Sequence, residues 1–241
     1  MGQGWSWQGF VDYLFNPFIL GGVVTTLWLT LAAIAGGLVL GFGIALARLA
    51  PQAWLNRPAR FYIWLFRGTP LLVQLIIIYT GLPQAGLKLS VVESALAGLI
   101  LNEAAYLAEI VRGGIQSIPA GQTQAAKAMG FSGAQTLRYI ILPQAMRLIL
   151  PTLGNSINGL LKTTSVTSVI SMEELLRRTQ VLIQEKFMVL ELFLVAAFYY
   201  LLLTTLWDLV QQRIERHYGR AYSPGGGPVK PVAAAELMEQ R

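Results

Sequence analysis

The stretch FILGGVVTTLWLTLAAIAGGLVLGFGIALA, residues 18–47, contains 30 consecutive residues without a charged side chain. As an α-helix it would be about 45 Å long, and the hydrocarbon core of a bilayer is about 30 Å thick. We therefore predict that this segment crosses a membrane. Charged residues make up only 12% of the 241-residue chain, about half the share found in soluble domains. The whole chain is thus typical of a membrane protein.

Four further apolar segments predict four more spans, at residues 61–82, 91–111, 148–166 and 187–209. The second span should be kinked by Pro70, and the fourth begins at Leu148 or just after Pro151. The predicted fold class is an all-α integral membrane protein with five transmembrane helices. We expect residues 1–17 to form an external segment and residues 18–218 the membrane domain. The Pro- and Gly-rich residues 219–241 should form a flexible tail.

The distribution of Lys and Arg predicts the orientation, because these residues are retained on the cytoplasmic side of short loops. With the N-terminus outside, the inner segments hold 13 of the 18 basic residues and the outer segments hold 4. The opposite orientation would invert this ratio. An external N-terminus and a cytoplasmic C-terminus are therefore predicted.

The cytoplasmic loop 119–143 has a helix-Gly-helix pattern. Residues 119–129 are Ala-rich, and Gly130 follows as a favourable left-handed helix stop. Ser132 and Gln135 are spaced as a capping box for a second short helix, which we expect to end before Pro143.

On the outer side, Ser171 and Glu174 are spaced to cap another short helix. On that helix Glu173 with Arg177, and Glu174 with Arg178, would form i,i+4 ion pairs.

A polar stripe lies on the fourth predicted span. At 100° per residue, Asn155, Asn158, Lys162 and Ser165 fall within an arc of about 80°. Lipid cannot satisfy such a stripe, so it should face protein or a water-filled cavity. It either lines a substrate path or forms hydrogen bonds that hold two subunits together.

The third span places Glu103 and Tyr106 on one face. Glu103 lies near mid-span, where it could bind a substrate ammonium or guanidinium group, or pair with Lys162 as a structural bridge. Glu109, three residues before Arg112, is expected to be structural. Gln74 on the second span is a further path candidate, and the alternative is a simple interhelical hydrogen bond.

Several kinds of chemistry are excluded by the residues available. The chain has no cysteine and one histidine, which argues against a metal site, and no catalytic nucleophile-base pair can be assembled from the spans. The phosphate-binding pattern G-x-x-x-x-G-K-[ST] is absent, so we expect any ATP to be bound by a partner. The basic residues lie between apolar spans, which argues against nucleic acid as a partner.

The loop also resembles a known pattern. Gln124-Ala125-Ala126, three residues, Gly130, nine residues, Ile140, one residue and Leu142-Pro143 resemble the EAA loop of ABC importer permeases, EAA-x3-G-x9-I-x-L-P, with Gln124 in place of Glu. The stretches RGTPLLVQ (67–74), AYLAEIVRGG (105–114), LPQA (142–145) and KTTS (162–165) are similar to the polar amino acid branch, the histidine and glutamine permease family. The resemblance extends over about residues 18–215.

This resemblance implies a type I ABC importer membrane domain in a bacterial inner membrane. It implies a second permease subunit, identical or paralogous, two cytoplasmic ATPase subunits that bind ATP and Mg, and an external amino acid binding protein. The motif residues from Gln124 to Pro143 would couple the permease to the ATPase. Which amino acid is carried stays open.

The alternative is an ion-coupled secondary transporter of a small polar solute, with Glu103 and Glu109 as the ion-binding acids. The odd number of spans, the short chain and the helix-Gly-helix loop argue against it.

Overall fold

The uncharged stretch at the beginning of the chain forms one continuous helix of 33 residues, Pro17–Leu49. Pro17 occupies its first turn, where the missing N–H is not needed, and the Asn16 side chain accepts a hydrogen bond of 2.9 Å from the Phe18 N–H. The helix ends just before Pro51. The first predicted span is thereby confirmed as a helix.

The computed structural model describes residues 5–219, and the regular secondary structure of this part of the chain is entirely helical. The predicted tail therefore lies outside the described residues, apart from Gly219 at the end of the last helix. The helices in chain order are α1 (Trp7–Leu14), α2 (Pro17–Leu49), α3 (Ala53–Gly68), α4 (Leu71–Ile76, continued by a π turn Ile77–Gly81 and a 3-10 turn Leu82–Ala85), α5 (Val91–Gln116), α6 (Ala120–Ala128), α7 (Gly133–Gln135, continued by a π turn Thr136–Ile141), α8 (Leu142–Thr163, continued by a 3-10 segment Thr164–Ile170), α9 (Leu175–Lys186) and α10 (Val189–Gly219).

Three of the described helices are long and apolar enough to cross a membrane: α2, α5 and α10. A fourth span results if α3 and α4 together count as one. The helix α8 does not qualify, because polar side chains are distributed along it. The number of spans therefore stays a prediction.

The second predicted span is not a single kinked helix. The helix α3 begins at Ala53, earlier than expected, and ends at Gly68. The chain then bends by 103° before α4. Thr69 and Pro70 are extended at this point, because the proline ring disfavours helical conformation in the residue before it.

The helix that contains the fourth predicted span also begins earlier than expected. The helix α8 starts at Leu142 and includes Pro151, so the helix does not start at Leu148 or after Pro151. The second short helix of the loop does not end before Pro143 either. It runs through its π turn directly into α8, because Pro143 lies in the first turn, where its missing N–H costs no hydrogen bond.

The helix α9 is capped differently from the prediction. Glu174 itself is the N-cap and accepts a 2.8 Å hydrogen bond from the Arg177 N–H, whereas Ser171 has a left-handed backbone with φ of 65°. The predicted i,i+4 pairs are wrong. Arg178 instead lies 3.5 Å from Glu173 and donates a 3.0 Å hydrogen bond to the Phe18 carbonyl oxygen.

The helix α5 packs chiefly against α2. Their backbones approach closely at Gly41, where a methyl group would lie 2.8 Å from the Ala104 carbonyl oxygen. Gly37, one turn earlier, faces the Glu103 side chain. These two glycines let α5 pack tightly enough on α2 to place Glu103 at a fixed position.

Candidate functional site

The site is built around the break between α3 and α4. The break leaves carbonyl groups at the end of α3 without helical partners. The Gln74 Nε2 lies 2.9 Å from the Phe66 carbonyl oxygen and 3.1 Å from that of Thr69. The Asn102 Nδ2 donates to the Gln74 Oε1 over 3.0 Å. Gln74 and Asn102 therefore provide hydrogen-bond donors for the carbonyl groups at the break and connect the break to α5.

A cavity of about 380 Å³ lies beside this break. It is an open pocket bounded by the extended turn, by one face of α5 and by one face of α8. Its volume is within the range of about 300–1,000 Å³ that is usual for small-molecule sites. The lining residues are Thr69, Pro70, Leu71, Asn102, Glu103, Tyr106, Ser156, Gly159, Leu160 and Thr163.

Glu103 is the acidic residue of this cavity and is only 8% exposed. The Ser156 hydroxyl donates a hydrogen bond to its Oε1. Within residues 5–219, no ion pair joins Glu103 to Lys162. The structural bridge considered from the sequence is therefore not formed in this conformation, and the carboxylate lines the cavity with one hydroxyl as its partner.

Tyr106 lines the same cavity and is 40% exposed. The Arg67 guanidinium carbon lies 5.2 Å from the centre of its ring, a cation–π contact. The cavity therefore has a carboxylate on one residue and a cation stacked on another. Glu109, by contrast, forms a 2.6 Å ion pair with Arg112, as expected for a structural pair.

The polar stripe of α8 does not line this cavity. Asn155 and Lys162 are exposed on the neighbouring face of the helix. Asn158 donates a 2.5 Å hydrogen bond to Asp208 of α10, and the Ser165 hydroxyl donates one of 2.6 Å to the Lys162 carbonyl oxygen.

Sequence reasoning missed several lining residues. Asn102 directly precedes Glu103, and Ser156 directly follows Asn155, so both stood next to residues that the polar pattern had identified. Their roles depend on the bend at Thr69 and on how α8 is rotated, and neither can be read from spacing.

The loop 119–143 lies at the other end of α5 and α8. Gly130 has φ of 84°, and Ser132 and Gln135 form the predicted capping box. Gln124 and Ala125 are exposed on α6, whereas Ala126 is buried. The Gln144 Nε2 donates to the Ile140 carbonyl oxygen over 2.8 Å, at the junction with α8 that contains Ile140, Leu142 and Pro143.

Long apolar helices around a polar cavity, with a carboxylate at the depth of the predicted spans, are typical of a membrane transport protein. Residues 37–220 match the family described as "Binding-protein-dependent transport system inner membrane component", and the chain belongs to this family. It is a permease subunit of a binding-protein-dependent ABC transporter and a multi-pass protein of the inner membrane. The prediction made from the loop and its flanking motifs is confirmed.

Curated relatives cover most of the chain. It is 37% identical over 215 residues to the probable amino-acid ABC transporter permease YckA of Bacillus subtilis, covering 86% of this chain and 95% of the relative. It is 43% identical over 206 residues to the octopine permease OccM of Rhizobium radiobacter, covering 82% of each. It is 38% identical over 202 residues to the glutamine permease GlnP of Escherichia coli, covering 83% and 92%.

Solved structures have the same architecture. A chain from the crystal structure of an amino acid ABC transporter with histidines is 34% identical, with a TM-score of 0.83, covering 89% of this chain and 100% of that one. A chain of the inward-facing methionine transporter MetNI is 20% identical with a TM-score of 0.72, covering 83% and 96%, which supports the fold alone. The fold is that of a type I ABC importer membrane domain.

Proposed function

We propose that this permease subunit carries a polar amino acid inward, and that the cavity at the α3–α4 break is part of its path. The observation that carries the proposal is the position of Glu103, a nearly buried carboxylate on the wall of a cavity of about 380 Å³. Every polar amino acid has an ammonium group, and a buried carboxylate is a suitable partner for it. The relatives named for glutamine, octopine and histidine ligands support this class of cargo.

The energy for transport would come from ATP hydrolysis on partner subunits. This chain has no phosphate-binding loop of its own. We propose that it has no enzymatic activity, and that two cytoplasmic ATPase subunits bind ATP and Mg. An external binding protein would deliver the substrate, and a second permease subunit would complete the path.

The loop 119–143 is proposed as the contact with the ATPase. Its exposed residues Gln124 and Ala125 lie on α6, and Gly130 returns the chain towards α8. A rigid connection exists because the loop continues without interruption into α8, whose Ser156 and Gly159 line the cavity. A movement of the loop would therefore be transmitted to the cavity wall.

The test is ATP-driven uptake in proteoliposomes that contain the permease with its ATPase and binding protein. We expect uptake of a labelled polar amino acid, and a loss of at least tenfold for Glu103→Gln with basal ATP hydrolysis retained. Glu173→Gln is the control, because that carboxylate is exposed and lies outside the cavity. Uptake driven by an ion gradient without the ATPase would contradict the proposal, and unchanged uptake by Glu103→Gln would remove the cavity from the path.

A further inference from the structure

The helix α8 presents a polar face to the exterior of the chain. Asn155 and Lys162 are exposed on it, and Asn158 is half-buried at its edge. Gly159 lies between Asn158 and Lys162 on the helix and also lines the cavity. The polar face is therefore continuous with the cavity wall.

Asp208 of α10 extends this face. It is exposed, and its Oδ1 accepts the hydrogen bond from Asn158. Lys162 lies one turn beyond Asn158, a rise of about 6 Å along the helix. Neither Lys162 nor Asp208 forms an ion pair with any side chain that the structure describes. One face thus displays a cation and an anion, neither of them in an ion pair, about one helical turn apart along the helix axis.

Lipid hydrocarbon cannot solvate the polar and charged side chains of this face. Charged groups at membrane depth are rare and are normally paired or hydrated, because hydrocarbon offers them no partner. The opposite situation is found on other sides of α10, where Leu206 and Leu209 are each 51% exposed, as expected for a lipid-facing surface. The polar face of α8 and α10 must therefore be covered by protein or by water enclosed by protein.

We infer that this face packs against a second copy of this chain, with Lys162 of each copy placed to pair with Asp208 of the other. The inference rests on the proposed function in one respect, the presence of a second permease subunit. In a two-fold interface the same surface of each copy meets that of the other. A contact from a first residue on one copy to a second residue on its partner is therefore repeated, from the second residue on the one copy to the first residue on the partner. A face with one cation and one anion is complementary to itself under this symmetry. The four-carbon stem of lysine can span the offset of one helical turn.

This arrangement also gives the cavity a position in the assembly. Because Gly159 borders both the polar face and the cavity, the cavities of the two copies would open towards the same central interface. A substrate released from one wall would then enter a path lined by both copies.

Cysteine cross-linking tests the interface, since the chain has no cysteine of its own. In membranes containing the whole transporter, we expect Asn155→Cys to form a covalent dimer of this chain with an oxidant or a short bifunctional thiol reagent. Val24→Cys and Leu206→Cys are controls, because both positions are exposed on other surfaces, at 62% and 51%. Absence of a cross-link at position 155 in a complex that transports normally would overturn the inference. A cross-link only to a chain of different mass would overturn the identity of the partner.

A charge exchange tests the pair itself. We expect Lys162→Asp or Asp208→Lys alone to reduce uptake and dimer recovery at least fivefold, and the two together to restore both to within about twofold of the original values. No recovery in the double variant would overturn the pairing. Failure of the proposed function would give a different result from failure of this inference. The unsubstituted transporter would take up no amino acid, although the Asn155→Cys variant would still form the cross-linked dimer.

Discussion

Asn102 of α5 donates a 3.0 Å hydrogen bond to Gln74 of α4, and both amide nitrogens also lie within 3.3 Å of the Phe66 carbonyl oxygen at the end of α3. This relationship explains how a sharp bend can exist at the depth of an apolar segment. Each backbone carbonyl that the bend frees needs a donor, and lipid supplies none. The two side chains supply it, and in doing so they fix the extended turn that forms one wall of the cavity.

Replacing Gln74 with leucine should therefore destabilise the protein. The side chain is 7% exposed, and its loss leaves the Phe66 and Thr69 carbonyl groups and the Asn102 amide short of partners, at a cost of about 1–3 kcal/mol. Thermal unfolding of the solubilised protein measures this effect. The matched control is Gln84→Leu, which removes an exposed amide from the 3-10 turn Leu82–Ala85. Equal melting temperatures for the two variants would contradict the role of Gln74.

Gly130→Val should uncouple ATP hydrolysis from transport. Gly130 has φ of 84° and open space around it, so the substitution causes no clash and acts only through the backbone. A left-handed conformation costs an L-residue about 1–2 kcal/mol, and the turn that joins α6 to α7 should change shape. We expect normal insertion but uptake and binding-protein-stimulated hydrolysis reduced several-fold.

Gly121→Val provides the comparison for Gly130, because Gly121 is exposed within α6 and its φ is not positive. If both variants transport equally well, the left-handed turn has no part in coupling.

Orientation can be measured with single cysteines and a thiol reagent that does not cross membranes. We expect Asp12→Cys and Lys88→Cys to react from outside intact cells and Ala134→Cys to be protected, in line with the distribution of basic residues. Lys88 follows the α3–α4 pair, so it reports whether that pair crosses the membrane or returns to the same side. Labelling of position 134 from outside would reverse the predicted orientation.

Stability should depend on Glu174 as pH changes. Burial raises the pKa of Glu174, against the opposing effect of hydrogen bonds from the backbone of Leu176 and Arg177 and from Tyr200. The folded state therefore holds this proton more tightly than the unfolded chain, whose glutamates titrate near a pKa of about 4.3. The contribution of Glu174 to stability is greatest below that value and decreases as pH rises through the pKa of the folded state.

Melting temperatures between pH 4 and pH 8 should show a shallower decrease with rising pH for Glu174→Gln than for the unchanged protein. Glu173→Gln should keep the original slope, because its side chain is 64% exposed. Identical slopes for all three proteins would show that Glu174 does not titrate in this range.

The sequence by itself determined much of this protein. Thirty uncharged residues in succession require a long apolar helix, Gly130 requires a left-handed turn, and Ser132 with Gln135 requires a helix start, because each of these is a local property of the chain. The loop motif and its flanking stretches also identified the family. Glu103 and Tyr106 were recognised as path candidates, since a carboxylate within an apolar span needs a reason to be there.

Only the tertiary structure decided which polar residues meet. The 103° bend at Thr69 and Pro70 depends on Asn102, which lies 28 positions after Gln74 in the chain. The rotation of α8 places Ser156 at the cavity and leaves Asn155 and Lys162 on the outer face. Helical spacing gives the angle between residues of one helix, but the direction in which that helix faces is set by its packing on other helices. The packing of α8 therefore decides which of its polar residues line the cavity and which lie on the polar face that we assign to a second copy.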